Sequence, residues 1–171
     1  MKNKNSILIF GTLFLLAVLS RWVGHMWNFT LVGGAFLFAG AYFQDKKVAV
    51  TLMLSAMLFS DFLIGFHTQM LSVYFAYFLV VGLGFLLTAT SSRLKITGYS
   101  LLGSFAFYLI TNFGVWYGGT LYPMNFSGLV DCYLMGIPFY RTQLLSDVLS
   151  SLAIFEVAKA VGVYATAKAK A

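Results

Sequence analysis

Residues 70–90 read MLSVYFAYFLVVGLGFLLTAT, a run of 21 residues without a charged side chain. About 17–25 such residues in a helix cross the hydrocarbon core of a bilayer. The whole chain of 171 residues is 60% hydrophobic and 9% charged, whereas a soluble domain is about 25% charged. The sequence therefore predicts an all-α polytopic membrane protein, built as a single transmembrane domain over residues 1–171. No polar stretch is long enough for a separate soluble catalytic domain.

Five further apolar windows lie on either side of this run, separated by charged residues. Together they predict a six-helix transmembrane bundle with spans at about 6–22, 29–43, 48–64, 70–90, 98–117 and 144–164. The second window is short, so we expect it to be extended backwards, tilted little or sheltered by its neighbours. Lys2 and Lys4 before the first window also fit a signal peptide cleaved after Ser20, but we expect an uncleaved helix.

The basic residues indicate the orientation of the bundle. Eight of the eleven lie in four alternating segments: Lys2, Lys4, Lys46, Lys47, Arg93, Lys95, Lys168 and Lys170. Six spans place these four segments on one side of the membrane. The positive-inside rule then puts both termini in the cytoplasm. The net charge of +6 is thus explained by topology, and we expect no nucleic-acid partner.

Two aspartates inside or near the predicted spans need an explanation. An ionised group within a span costs a few kcal/mol and usually faces a cavity or a partner. Asp61 and Asp147 therefore need counter-charges, and the candidate partners are Arg21 and Arg141. The interpretation in which such ion pairs only hold the bundle together stays open.

Polar side chains from most helices fall at the same outer depth as these charges. Such convergence predicts a pocket for a small-molecule solute. The candidate substrate-binding residues are Asn28, Asp61, His67, Asn112, Trp116 and Tyr133. Asn112 and Trp116 are four residues apart, so they share one helix face, and an amide beside an indole suits a ring with a polar edge.

Two further segments carry structural predictions. In the outer segment 118–143, Asn125 or Ser127 is a possible cap for a short re-entrant or interfacial helix, which Gly136 and Pro138 would end. This helix would lie across the outer mouth of the bundle. In the second span, Ala35 and Ala39 form a small-residue face that suits close helix packing, either within the chain or against another membrane subunit.

The sequence holds no catalytic motif. Cys132 is the single cysteine, which excludes an internal disulfide. His25 and His67 invite a metal site with Asp61, but their spacing does not bring them onto one helix face. We expect no enzymatic activity, no cofactor and no metal.

Several strings in this chain resemble a widespread family of small bacterial membrane proteins of unassigned function. They are Asn28-Phe29-Thr30 with Val32-Gly33, Ser60-Asp61 with Gly65 and His67, residues 111–116 (TNFGVW), and residues 128–139. The resemblance covers most of the chain. In size, helix number and outer polar layer the chain is also similar to the S-components of energy-coupling-factor vitamin transporters. S-components often carry an Ala-x-x-x-Ala pattern on the first helix, whereas here it lies on the second.

The resemblance to S-components implies a substrate-binding subunit that takes part in the uptake of a small micronutrient. A function from another class also fits the sequence: a non-transporting structural or assembly subunit of a larger membrane complex. A closed cavity at the outer layer would favour the first, and tight packing there would favour the second.

Overall fold

A computed structural model describes residues 2–23, 28–88 and 91–163. Within these ranges the chain forms six helices and no strand, which confirms the predicted all-α architecture. The helices are α1 (Lys2–Trp22), α2 (Val32–Tyr42), α3 (Lys46–Ile64), α4 (Met70–Gly84), α5 (Arg93–Gly118) and α6 (Phe126–Ala160). His25 lies outside the described residues.

The short helix α2 is the centre of the fold. It packs against each of the other five helices, and residues 32–40 are all buried. Its 11 residues measure about 16 Å, so α2 is sheltered by its neighbours, one of the alternatives for the second window. Ala35 and Ala39 are fully buried. Their face packs within the chain, which is one of the two alternatives that the sequence leaves open.

Glycine lets α2 and α4 approach each other to backbone contact. A Cβ added at Gly40 would lie 2.3 Å from the Val81 carbonyl oxygen and 2.9 Å from the Cα of Gly84. Both distances are far below van der Waals contact. Small residues at such crossings are typical of helices that pack in membranes.

Helices α5 and α6 form an antiparallel hairpin that is joined along its length. Ser100 and Ser151 are hydrogen-bonded at 3.2 Å near one end, and Trp116 Nε1 donates to the Pro123 carbonyl at 3.0 Å at the other. α6 has 35 residues and unites the predicted sixth span with the predicted short outer helix. The prediction of a separate outer helix was therefore wrong.

The continuity of α6 has a physical reason at Gly136 and Pro138. A Cβ at Gly136 would lie 2.4 Å from Asn112 Oδ1, so this glycine allows close packing against α5 and does not end the helix. Pro138 lies inside α6 at an exposed position. A proline inside a helix removes one backbone donor and crowds the carbonyl four residues earlier. Hydrogen bonds to α5 lie on both sides of Pro138, at Tyr133 and at Asp147, and hold α6 as one helix.

Contacts between chain segments gather basic residues at one end of the bundle. Lys46 Nζ lies 5.1 Å from the centre of the Phe85 ring, which brings together the start of α3 and the end of α4. Arg93 Nη2 donates to Glu156 Oε2 at 3.0 Å, and Lys159 Nζ donates to the Ser91 carbonyl at 3.2 Å. We call this the basic end.

Large apolar side chains are exposed at the surface, and a set of polar side chains is buried within a mainly apolar core. Large apolar side chains such as Leu71, Leu94, Leu121 and Phe126 are exposed. Many polar side chains are buried instead: Ser60, Asp61, Ser91, Ser100, Ser104, Gln143, Ser146, Asp147, Ser150 and Ser151. A water-soluble domain places most such polar groups at its surface.

Two helices contain a stretch that is both long and apolar enough to cross a bilayer, Asn5–Trp22 and Lys46–Ile64. α2 and α4 are apolar but shorter, and α4 ends at Gly84, earlier than the predicted window. α5 and α6 have 26 and 35 residues but a more polar composition. Among the described residues, two of the six predicted spans therefore meet the criterion by length and composition.

Candidate functional site

A cavity of about 300 Å³ opens at the end of the bundle opposite the basic end. It lies where α1 and α3 end, where the chain enters α2 and where α4 begins. Its lining residues are Arg21, Asn28, Thr30, Ile64, His67, Val73, Tyr77, Phe107 and Gln143. Most of these side chains can donate or accept a hydrogen bond, so the cavity combines apolar walls with several polar groups.

Arg21 forms one wall of the cavity and is fixed by Asp61. Arg21 Nη2 donates to Asp61 Oδ1 at 2.6 Å, and the other carboxylate oxygen accepts from the Tyr74 hydroxyl at 2.6 Å. Arg21 Nη1 also donates to the Ser60 hydroxyl. The Asp61 side chain has no exposed surface. Asp61 therefore acts from behind the cavity wall, as one of the ion pairs predicted from the sequence.

His67 lies at the mouth of the cavity. Its Nε2 is 3.9 Å from Asp61 Oδ1, and more than a third of its side chain is exposed. On the opposite side Asn28 has a φ of 59°, in the left-handed region that asparagine tolerates better than most residues. Both predicted residues line the cavity, although they come from different connecting segments.

The floor of the cavity leads to the second buried carboxylate. Gln143 lines the cavity, and its Nε2 donates to Asp147 Oδ2 at 3.3 Å. The same oxygen accepts from the Ser104 hydroxyl at 2.7 Å. Asp147 thus interacts with neutral donors from α5 and α6.

The predicted counter-charge for Asp147 is absent from the part of the chain that the structure describes. Arg21 is engaged by Asp61, and Arg141 is exposed on α6. Asp147 follows Arg141 by six positions, which corresponds to about 120° around a helix of 3.6 residues per turn. The two side chains therefore emerge on different faces of α6 and form no ion pair.

Asn112, Trp116 and Tyr133 lie away from the cavity, at the contact between α5 and α6. Asn112 Nδ2 donates to the Tyr108 carbonyl at 2.8 Å, and the Tyr133 hydroxyl donates to the Leu109 carbonyl at 2.8 Å. Trp116 is bonded to the Pro123 carbonyl, as described above. The expectation that Asn112 and Trp116 share one cavity with His67 was wrong. They lie at a similar depth but on another side of the bundle.

Tyr133 borders a shallow apolar groove of about 430 Å³. Its other lining residues are Ser72, Phe75, Leu109, Ile110, Phe113 and Gly114. The groove offers few polar groups to orient a solute, whereas ligand sites in proteins combine an apolar wall with a few placed polar groups. The cavity beside Arg21 is the better candidate site.

Several side chains of this region were not among the residues predicted from the sequence. Tyr77 and Gln143 line the cavity, and Tyr74 and Ser104 hold the two carboxylates. Gln143 had a sequence signal, since it precedes Asp147 by four residues and so shares its helix face. Tyr74 and Tyr77 had none, because nothing distinguishes them from the other aromatic residues of an apolar run.

The fold and this site define a small all-α protein with a polar cavity at one end of an apolar bundle. The chain belongs to DUF6580, a family of unknown function whose match covers residues 1–170. Neither the curated proteins nor the solved structures give a match.

Proposed function

We propose that this protein is a multi-pass protein of the bacterial inner membrane, with both termini in the cytoplasm. The exposed apolar side chains and the buried polar side chains support this proposal, because leucine and phenylalanine are stable in lipid and buried serine and aspartate are stable when paired within a bundle. The basic end would face the cytoplasm under the positive-inside rule. The cavity beside Arg21 would then face outwards.

We further propose that the cavity binds a small polar solute from the outer side and that the protein takes part in its uptake. The observation that carries this proposal is the convergence of Arg21, Asn28, Thr30, His67 and Gln143 on one void. A volume of about 300 Å³ is at the lower end for ligand sites, which suits a single small ring.

The chemistry of the lining narrows the class of solute. The charge of Arg21 is balanced by Asp61 at 2.6 Å, so the wall is polar with little net charge. Tyr77 and Phe107 add two ring faces whose centres are 4.7 Å apart. Together these groups suit a planar solute with hydrogen-bonding edges, as a water-soluble micronutrient has.

The proposed role is similar to that of an S-component, a membrane subunit that binds a vitamin and depends on a coupling partner. The six helices and the cavity at one end of the bundle support this comparison as an architectural analogy. Since Ala35 and Ala39 are buried within the chain, a coupling partner would need another surface.

Native mass spectrometry and thermal shift test solute binding. The purified full chain is released from detergent micelles to detect a retained small molecule, and it is also heated with a panel of vitamins, amino acids and inorganic anions. We expect wild type to bind a solute. The variants His67→Ala and Asn28→Ala should no longer bind it. The matched controls are Trp116→Phe and Tyr133→Phe, which change residues outside the cavity and should retain it.

Two outcomes would overturn the proposal. Wild type with neither a retained molecule nor a thermal shift from any of the panel would show an empty cavity and favour the structural or assembly subunit. Equal loss of the solute in the cavity variants and in the controls would show binding elsewhere.

A further inference from the structure

Asp147 is unlike the other acidic side chains of this protein. The chain has five carboxylates. Asp45 and Asp131 are exposed, Glu156 is paired with Arg93 and Lys159, and Asp61 is paired with Arg21. Asp147 is 5% exposed, and no ion pair reaches it within residues 2–23, 28–88 and 91–163.

The groups that surround Asp147 are almost all neutral. α2 contributes Gly33 and α5 contributes Ser104, neither of which titrates. From α4, the titratable side chain that interacts with Asp147 is Tyr77, which is neutral at physiological pH. On its own helix the partner is Gln143. A buried carboxylate with such neighbours is costly in its ionised form.

The space around the carboxylate is too small for a hydrated or coordinated metal ion. A Cβ added at Gly33 would lie 2.1 Å from Asp147 Oδ1, so the backbone of α2 closes off that oxygen. Both hydrogen-bond donors, Ser104 and Gln143, engage Oδ2. A metal ion requires several oxygen ligands, whereas a proton on Oδ1 requires no coordination sphere.

We propose that Asp147 is a proton-binding site, linked to the cavity through Gln143. Protonation forms an O–H bond on the Asp147 carboxylate and breaks an O–H bond of a hydronium ion, which is left as water. Gln143 lines the cavity and also donates to the carboxylate, so it is the one side chain that touches both places.

The direction of the linkage follows from the hydrogen bond. An N–H donated to a carboxylate stabilises the ionised form. A solute that recruits the Gln143 amide withdraws this donor and favours the protonated acid. Solute binding would therefore be accompanied by proton uptake, which is a step that couples transport to a proton gradient. This linkage rests on the proposed solute binding, but the proton site itself does not.

Infrared difference spectroscopy of the purified full chain in lipid vesicles tests the proton site. As the pH is lowered, we expect the C=O stretch of a protonated carboxyl to appear in wild type and to be lost in Asp147→Asn. The matched control is Asp131→Asn, which removes an exposed carboxylate of the same helix and should keep the band. A band that is absent from wild type, or unchanged in Asp147→Asn, would overturn the proposal.

Variants that keep the carboxylate test the link and avoid the risk of misfolding. Gln143→Leu and Ser104→Ala each remove one donor, so the band should appear at a pH about one unit higher. No movement of the band in Gln143→Leu would refute the link to the cavity. If the band behaves as expected but no solute binds, the proton site stands and the proposed function fails. If a solute binds but the band is absent from wild type, the proton site is refuted and the proposed function stands.

Discussion

Removing the charge of Asp61 is the sharpest test of how the bundle is held together. Asp61→Asn keeps the size of the side chain but takes the negative charge away from Arg21. The carboxylate has no exposed surface, and the Arg21 side chain is 12% exposed. The substitution therefore leaves a guanidinium that is almost buried and has lost its counter-charge.

The expected cost follows from this geometry. Breaking a buried ion pair by removing one partner costs about 3–5 kcal/mol. The small exposed part of Arg21 gives the charge some access to water, so we expect a value near the lower end of that range, about 3 kcal/mol. At about 2–4 °C per kcal/mol for a chain of this size, the melting temperature should fall by about 6–12 °C.

The measurement is thermal unfolding of the purified protein in detergent, followed by intrinsic fluorescence. Glu156→Gln is the matched control, because its partners Arg93 and Lys159 also bind at 3.0 Å but have side chains that are 75% and 31% exposed. Exposed ion pairs contribute little, so this control should melt close to the parent. Tyr74→Phe removes one neutral donor from the Asp61 carboxylate. The melting temperature of this variant should lie between those of Asp61→Asn and Glu156→Gln.

A single pattern of results would refute this reasoning. If Asp61→Asn and Glu156→Gln melt at the same temperature, the Asp61 carboxylate is solvated and does not depend on Arg21. The Asp61 side chain would then not be buried, and Arg21 would not be fixed as a wall of the cavity.

Three further predictions concern packing, topology and processing. Gly40→Ala should destabilise the fold by about 1–3 kcal/mol, since its Cβ would meet main-chain atoms of α4. Gly82→Ala, which meets nothing within 4 Å, should be neutral or stabilising by up to about 1 kcal/mol, and equal melting of the two would contradict the close crossing. Labelling of single cysteines in intact cells tests the topology. The substitutions are Lys46→Cys, Leu94→Cys and Phe126→Cys. Only the last should react with an impermeant reagent, and reaction of the first two would reverse the orientation. The intact mass of the membrane-extracted chain should include the residues before Ser20, and a mass that starts after Ser20 would show a cleaved signal peptide.

The sequence by itself determined the secondary structure to a large extent. Six apolar windows correspond to six helices, because the burial or lipid exposure of a whole apolar run is a local property of the chain. The caps of two helices at the basic end are also local. Asp45 accepts a hydrogen bond from the Lys47 N–H at 3.0 Å, and Ser92 accepts one from the Lys95 N–H at 3.3 Å.

The length of α6 was not predictable from local signals. Gly136 and Pro138 are common at helix ends, and the sequence offers no local reason for the helix to continue. The reason lies on α5, since the close contact of Asn112 with Gly136 and the hydrogen bond from the Tyr133 hydroxyl to the Leu109 carbonyl hold the first half of α6 against it. A contact between helices thus outweighed the local preference.

The candidate site, too, was predictable from the sequence only in part. Charge and polarity along the chain predicted that Arg21, Asn28, Asp61 and His67 lie at the same end of the bundle, because this follows from the position of a residue along its helix. Only the tertiary structure decided which side of the bundle each side chain faces. Rotation about a helix axis is fixed by its neighbours, and it brought Gln143 and Tyr77 to the cavity while placing Asn112 and Trp116 in the hairpin. It also gave Asp147 neutral partners, since the arginine on its own helix emerges on a different face.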